Sequence, residues 1–159
     1  MMKWSNYFFN LVDVIKQKSK DTSVQVGCVI VGKNHEVIST GFNGFPIGVD
    51  DAPGCELKGS RYDRPLKYFY TEHAERNAIY LAARRGVSLD DSTIFLQWYP
   101  CADCARAIIQ SGIRSVWIDG SKYNPDTPTE ADKRWEDSFK AAKIMFEEAG
   151  VMVFIDKET

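Results

Sequence analysis

The chain has 159 residues, about one domain's worth, and can bury roughly 70% of its unfolded surface without help from a disulfide or a metal. Its 44% hydrophobic and 26% charged residues are globular proportions, which exclude disorder, a collagen-like repeat and a disulfide-dense miniprotein. With 20 Lys and Arg against 22 Asp and Glu, the net charge of -2 argues against a non-specific binder of long nucleic acid but leaves room for a local basic pocket that takes one phosphate.

Trp4, Phe8, Phe9, Leu11, Val12 and Ile15 recur at helical spacing and predict an amphipathic first helix that ends near Lys20. Lys3, Asn6, Asn10, Asp13 and Lys16 interrupt that segment, so it does not read as a signal-peptide core. No apolar run approaches the ~20 residues of a membrane span, and a cytoplasmic protein is expected. Residues 24–31, VQVGCVIV, read as a buried strand; Lys33-Asn34-His35 as a turn; residues 36–40 as a second strand. From 41 to 71 the pattern dissolves among Gly41, Gly44, Gly48, Gly54 and Gly59, with Pro46, Pro53 and Pro65. So long a stretch exceeds the ~12–15 residues of an idle loop and marks a functional region.

Periodicity then returns. A helix is expected over 72–85, a short strand over 93–96, a break at Trp98-Tyr99-Pro100, a helix over 102–110 stopped by Gly112, and a strand over 113–118. A loop at 120–128 precedes a long helix over 130–149, with Trp135, Phe139, Ala142 and Phe146 on one face, and a last strand over 151–155. This alternation predicts a single α/β domain over 1–159, three layers deep, with helices on both faces of one sheet.

Four cysteines, Cys28, Cys55, Cys101 and Cys104, in an intracellular setting point to metal or redox chemistry before structural disulfides. The informative strings are TEHAERNA and YPCADCARA, which carry His73, Glu75, Cys101 and Cys104. An imidazole and two thiolates form a three-ligand zinc set that leaves one position open for water, the arrangement of a catalytic site. Both strings fall at expected helix starts, where thiol pKa values are lowered and the thiolate is favoured. Glu75, two residues from His73, can reach metal-bound water without ligating the ion. A redox CxxC pair would leave the HxE spacing without a task. A closed structural site would need Cys55 or Cys28 as fourth ligand, and Cys28, inside an apolar strand, reads more simply as a small buried hydrophobe.

HxE followed by PCxxC is the signature of zinc nucleobase deaminases. Joined to SKDTSVQVGCVIV, TGFNGFPIGVDD and YPCADCARAIIQSGI, it makes residues 19–123 resemble the deoxycytidylate (dCMP) deaminase family. The resemblance implies a cytidine-deaminase-like fold with a mixed five-stranded sheet, a catalytic Zn2+, and hydrolysis of dCMP to dUMP and ammonia. It implies that His73, Cys101 and Cys104 hold zinc, and that Glu75 moves protons from water to ring N3 and to the departing amine. It places the Ala74 backbone at the pyrimidine carbonyl, Asn43 at the sugar or base, and Tyr123 at the phosphate, with Lys20 and Ser23 as further phosphate contacts.

The chain departs from the family at Tyr99, where many members carry Ser; Trp98 and Tyr99 can line the base pocket or fill core. A second, structural zinc would have to draw on His35 and Cys55. The loop bearing Asp50, Asp51, Lys58, Arg61, Arg64 and Lys67 reads either as a solvated charged loop or as part of an allosteric site for dCTP and dTTP with Mg2+. The resemblance also implies a homohexamer, and Tyr7, Tyr68 and Phe69 are either interface anchors or internal packing. The competing functions are a sister deaminase acting on free cytosine, guanine or transfer-RNA adenosine, and an inactive zinc-stabilised binding protein. The acidic balance counts against transfer RNA, and the presence of Glu75 counts against inactivity.

Overall fold

The computed structural model describes residues 1–50 and 61–157. The elements run α1 (Trp4–Ile15), a 3-10 turn (Lys16–Lys18), β1 (Gly27–Val31), β2 (Val37–Phe42), α2 (Lys67–Tyr70), α3 (Ala74–Arg85), β3 (Thr93–Leu96), α4 (Ala102–Gln110), β4 (Ser115–Asp119), α5 (Glu130–Ala149) and β5 (Met152–Asp156). The strands form one sheet in the order β2-β1-β3-β4-β5. β1 is antiparallel to both its neighbours, while β3, β4 and β5 run parallel, so the sheet is mixed.

Strand periodicity sorts the side chains between two faces. Cys28 and Ile30, Ile94 and Leu96, and Val116 and Ile118 point to one face, where Ala78 and Ala82 of α3, Ala105 and Ile108 of α4, and Ala142 and Phe146 of α5 cover them. Val29, Val31 and Phe95 point to the other face and meet Phe8, Phe9 and Val12 of α1. Helices thus cover both faces, as the alternation of elements predicts. The small residues of α3 let it ride directly on β2. A Cβ at Gly41 would lie 2.1 Å from the Ala74 carbonyl oxygen and 2.6 Å from the Ala78 nitrogen. Ser39 Oγ reaches across the same seam and donates to the Ala78 carbonyl at 2.7 Å.

The C-terminal ends of β2, β3 and β4 and the N-terminal end of β1 share one edge of the sheet. α3 and α4 both start there, and such carboxyl-end crevices are where open α/β sheets bind ligands.

Several element boundaries differ from the expectation. The first helix ends at Ile15 and passes into the 3-10 turn, short of Lys20. β1 begins at Gly27 because the Asn43 amide occupies the Val24 carbonyl and the Val26 N–H, where a ladder would otherwise continue. β2 extends to Phe42, since Gly41 fits under α3. α2 interrupts the expected loop of residues 41–71. Glu72 stays outside α3 because its backbone pairs with Gly44 in an isolated bridge. β4 and β5 each start and end a little later than expected. Asp51, Cys55 and Lys58 lie outside the described residues, and the expectations that rest on them stay with the sequence.

Candidate metal centre

His73 is the N-cap of α3 and Cys101 the N-cap of α4, and neither side chain is used in capping. The imidazole and the thiol are therefore left to face each other across the gap between two helix starts. Cys104, three residues further along α4, lies on the same helix face as Cys101. Cys101 Sγ is 3.6 Å and Cys104 Sγ 3.4 Å from His73 Nδ1. All three donor atoms lie within 4.8 Å of one another. A tetrahedral ion with Zn–N near 2.0–2.1 Å and Zn–S near 2.3 Å requires N···S edges of about 3.6 Å, so the donor set fits zinc in both kind and spacing. Among the described residues the set has three donors, which leaves the fourth tetrahedral position for a small ligand.

The electrostatics favour a thiolate at Cys101. The hydrogen bond from the Cys104 thiol, helped by His73, takes Cys101 down to about 4 against the resistance of burial. Cys104 is pushed up, because it holds the proton that the pair shares. The Cys101 side chain in turn raises His73 above the usual imidazole range. Glu75, 7% exposed, is raised above the usual carboxylate range, chiefly by burial, with His73 opposing. A buried carboxyl group so placed beside the donor set is suited to exchanging a proton with a neighbouring water.

His73, Cys101, Glu75 and Ala74 share one cavity of about 440 Å³. Ala74 is the first residue of α3, so its N–H has no acceptor within the helix. Trp98 and Tyr99 line this cavity and also pack against the core, so both roles read from the sequence meet in the same two side chains. Burial pushes the Tyr99 phenol up to about 12. Trp135, whose ring centre lies 6.1 Å from that of His73, and Phe139 add further aromatic wall. Arg64, Lys122 and Arg134 stand exposed at the cavity's rim.

Asn43 lines the cavity beside Asp21 and Lys67. Lys20 and Ser23 are exposed and outside its lining. Ser23 Oγ donates to Asp21 Oδ1 at 2.7 Å and accepts from Lys67 Nζ at 2.6 Å. Tyr123 is buried beneath the lining, with its ring centre 5.7 Å from that of Tyr99 and 5.8 Å from that of Phe139. Asp50 is exposed, and its carbonyl accepts from Arg61 Nη1 at 2.8 Å. Cys28 is fully buried and its thiol meets the Ala74 carbonyl at 3.2 Å, which suits a core residue. His35 stacks on Trp4 at 4.3 Å, away from this cavity. Tyr7, Tyr68 and Phe69 are exposed. Sequence reading misses Asp21, Lys122, Arg134 and Trp135: the first three look like ordinary charges, and Trp135 falls on core spacing.

Residues 2–119 match the family model described as the cytidine and deoxycytidylate deaminase zinc-binding region. The chain is 38% identical over 151 residues to an uncharacterized deaminase in the luxG 3′ region of Aliivibrio fischeri, covering 95% of this chain and 92% of the other. It is 32% identical over 152 residues to human deoxycytidylate deaminase, covering 94% and 78%. The structure of dCMP deaminase from cyanophage S-TIM5, in complex with dCMP and dUMP, superposes with a TM-score of 0.71 at 27% identity, covering 98% of this chain and 100% of that one.

Proposed function

The chain belongs to the cytidine and deoxycytidylate deaminase family through its zinc-binding region, and from that premise we propose that it hydrolyses dCMP to dUMP and ammonia. The observation that carries this reading is the His73–Cys101–Cys104 donor set at tetrahedral edge distances, with buried Glu75 in the same cavity. Zinc held there by His73, Cys101 and Cys104 would supply Lewis acidity and lower the pKa of a neighbouring water towards neutrality. Glu75 carries the first proton of the attacking water to ring N3 as the water oxygen bonds to C4, and then carries the second, from the new C4 hydroxyl, to the amine, which departs as ammonia when the C4–N bond breaks and the C4 carbonyl forms. The N–H of Ala74 offers a hydrogen bond to the pyrimidine carbonyl. Trp98, Tyr99 and Trp135 enclose the base in apolar wall and keep bulk water from it.

A monophosphate suits the rim. Arg64, Lys122 and Arg134 form no ion pair with a carboxylate among the described residues and stand exposed at the cavity's rim, which supports a role in taking a 5′-phosphate. In this reading they lead in holding the phosphate, with Lys20 and Ser23 behind them and Tyr123 supporting the aromatic wall. The same reading extends to one deaminase domain over residues 1–159, working in the cytoplasm as a homohexamer and responding to dCTP and dTTP with Mg2+ near Asp50 and Asp51. No helix among the described residues is long and apolar enough to cross a membrane. The resemblance supports the assembly and its regulation; sigmoid substrate curves that dCTP and dTTP displace would bear regulation out, and indifferent hyperbolic curves would overturn it.

The decisive assay is ammonia release from dCMP, cytidine, cytosine, dCTP and single-stranded DNA side by side. dCMP should exceed the others at least ~10²-fold in kcat/KM. Glu75→Gln should keep its zinc and lose about 10²–10⁴-fold in kcat. Preference for another substrate in the panel, or near-normal turnover by Glu75→Gln, would overturn the reading.

A further inference from the structure

Among the residues that line the cavity is a buried ion pair, Asp21 and Lys67, that the deamination chemistry leaves without a task. Asp21 is 4% exposed and Lys67 8%. Lys67 Nζ donates to Asp21 Oδ2 at 2.8 Å and to Ser23 Oγ at 2.6 Å. Asp21 Oδ1 accepts from Ser23 N at 2.9 Å, Ser23 Oγ at 2.7 Å and Val24 N at 3.1 Å. Its other oxygen, Oδ2, also accepts from Asn43 Nδ2, at 3.3 Å.

The Asn43 amide is engaged at both ends. Its Nδ2 donates to the Val24 carbonyl at 2.9 Å as well as to Asp21, which uses both hydrogens. Its Oδ1 accepts from Val26 N at 2.8 Å. These partners fix the orientation of the amide, since a backbone N–H must meet the oxygen and a carbonyl and a carboxylate must meet the nitrogen. One Oδ1 lone pair is then all that the side chain can offer a ligand, so Asn43 can accept a hydrogen bond and cannot donate one.

We propose that the Asp21–Lys67 pair is a positioning device that locks Asn43 as an acceptor for the substrate's sugar 3′-hydroxyl. The proposal rests on the dCMP reading for the identity of the sugar and on this structure for the lock. Lys67 supplies the counter-charge that keeps Asp21 an acceptor, and Asp21 holds one edge of the amide. Lys67 lies on α2, Asp21 follows the 3-10 turn and Asn43 follows β2, so the pair also ties three separated segments to one side of the cavity. Both residues act through Asn43.

The test compares dCMP with its 2′,3′-dideoxy analogue on the zinc-loaded wild type, Asn43→Ala, Asp21→Asn, Lys67→Met and Lys67→Arg, with zinc content and melting temperature alongside. Wild type should prefer dCMP by about tenfold in kcat/KM, the worth of one hydrogen bond. Asn43→Ala, Asp21→Asn and Lys67→Met should bring that ratio towards one with zinc content unchanged, and Lys67→Arg should restore most of it. Lys67→Met placed on Asn43→Ala should change the ratio no further, because the two act in one chain of contacts.

A second readout needs no substrate. The Asn43 side-chain amide, identified by its loss in Asn43→Ala, should exchange slowly with solvent in wild type and quickly in Asp21→Asn. If Lys67→Met fails to fold, Asp21→Asn and Lys67→Arg decide the matter. Variants that lower activity yet keep the full tenfold ratio and a slowly exchanging amide would overturn the proposal. A wild type that deaminates neither nucleotide would sink the dCMP reading, and the amide signal would still judge the lock.

Discussion

At the scale of single residues, charge and burial explain most of what the cavity can do. Asp21 illustrates the balance. Burial alone would raise its carboxyl, but the hydrogen bonds from Lys67, Ser23 and the Val24 backbone more than offset that, and its pKa falls below the usual 3.8. The folded chain thus holds fewer protons at this site than the unfolded chain. The stabilisation is present above the unfolded value and is lost as the pH drops through the folded one. Melting temperature measured from pH 6 downward should therefore fall more steeply below about pH 4 in wild type than in Asp21→Asn, which carries no titrating group there. Parallel curves would remove Asp21 from the acid response. The metal ligands were legible in the sequence because each lies in a short string with a fixed spacing. The rim was not, because Lys122 and Arg134 are separated from those strings and look like any solvated charge until the fold gathers them.

At the scale of elements, the short approach between β2 and α3 sets the position of His73 and Glu75. Gly41 makes that approach, and the atoms that a Cβ would strike belong to α3's own backbone. Backbone cannot rotate aside as a side chain can. Gly41→Ala should cost about 3 kcal/mol, the upper part of the usual range for overpacking, and lower kcat because the start of α3 must move. Thermal melting and dCMP turnover would check both; an unchanged melting point would mean that the seam is slack. β3, α4 and α5 could be read from the sequence to the residue: Trp98-Tyr99-Pro100 and Gly112 bound the first two, and the loop at 120–128 precedes the third, whose start the structure shows capped by the Thr129 hydroxyl accepting from the Asp132 N–H. The start of β1 was hidden because the partner of Val24 and Val26 is a side chain 17 to 19 positions away. Local periodicity carries no information about such a contact.

At the scale of the whole molecule, the two helix starts that carry the ligands depend on what they hold. Neither N-cap side chain closes its own helix, and only α4 has a substitute, Ser138 Oγ accepting from the Ala102 N–H, so a bound ion would tie the start of α3 to that of α4. A ligand that binds only the folded state stabilises it by about 2.7 kcal/mol at a hundredfold excess over its dissociation constant. Chelation should accordingly lower the melting temperature by roughly 5–10 °C for a chain of this size, and stoichiometric zinc should restore it. A melting point indifferent to chelator would mean that α3 and α4 are held by packing alone.

The four tryptophans fall into two pairs. Trp98 and Trp135 line the cavity, whereas Trp4 and Trp117 lie with Phe8 and Phe95 on the far side of the sheet. The protein thus carries two built-in fluorophore sets, one beside the nucleotide and one beside α1. Emission from the first should respond to occupancy and emission from the second to loosening of the opposite layer, so spectra of two selective Trp→Phe variants should separate binding from unfolding.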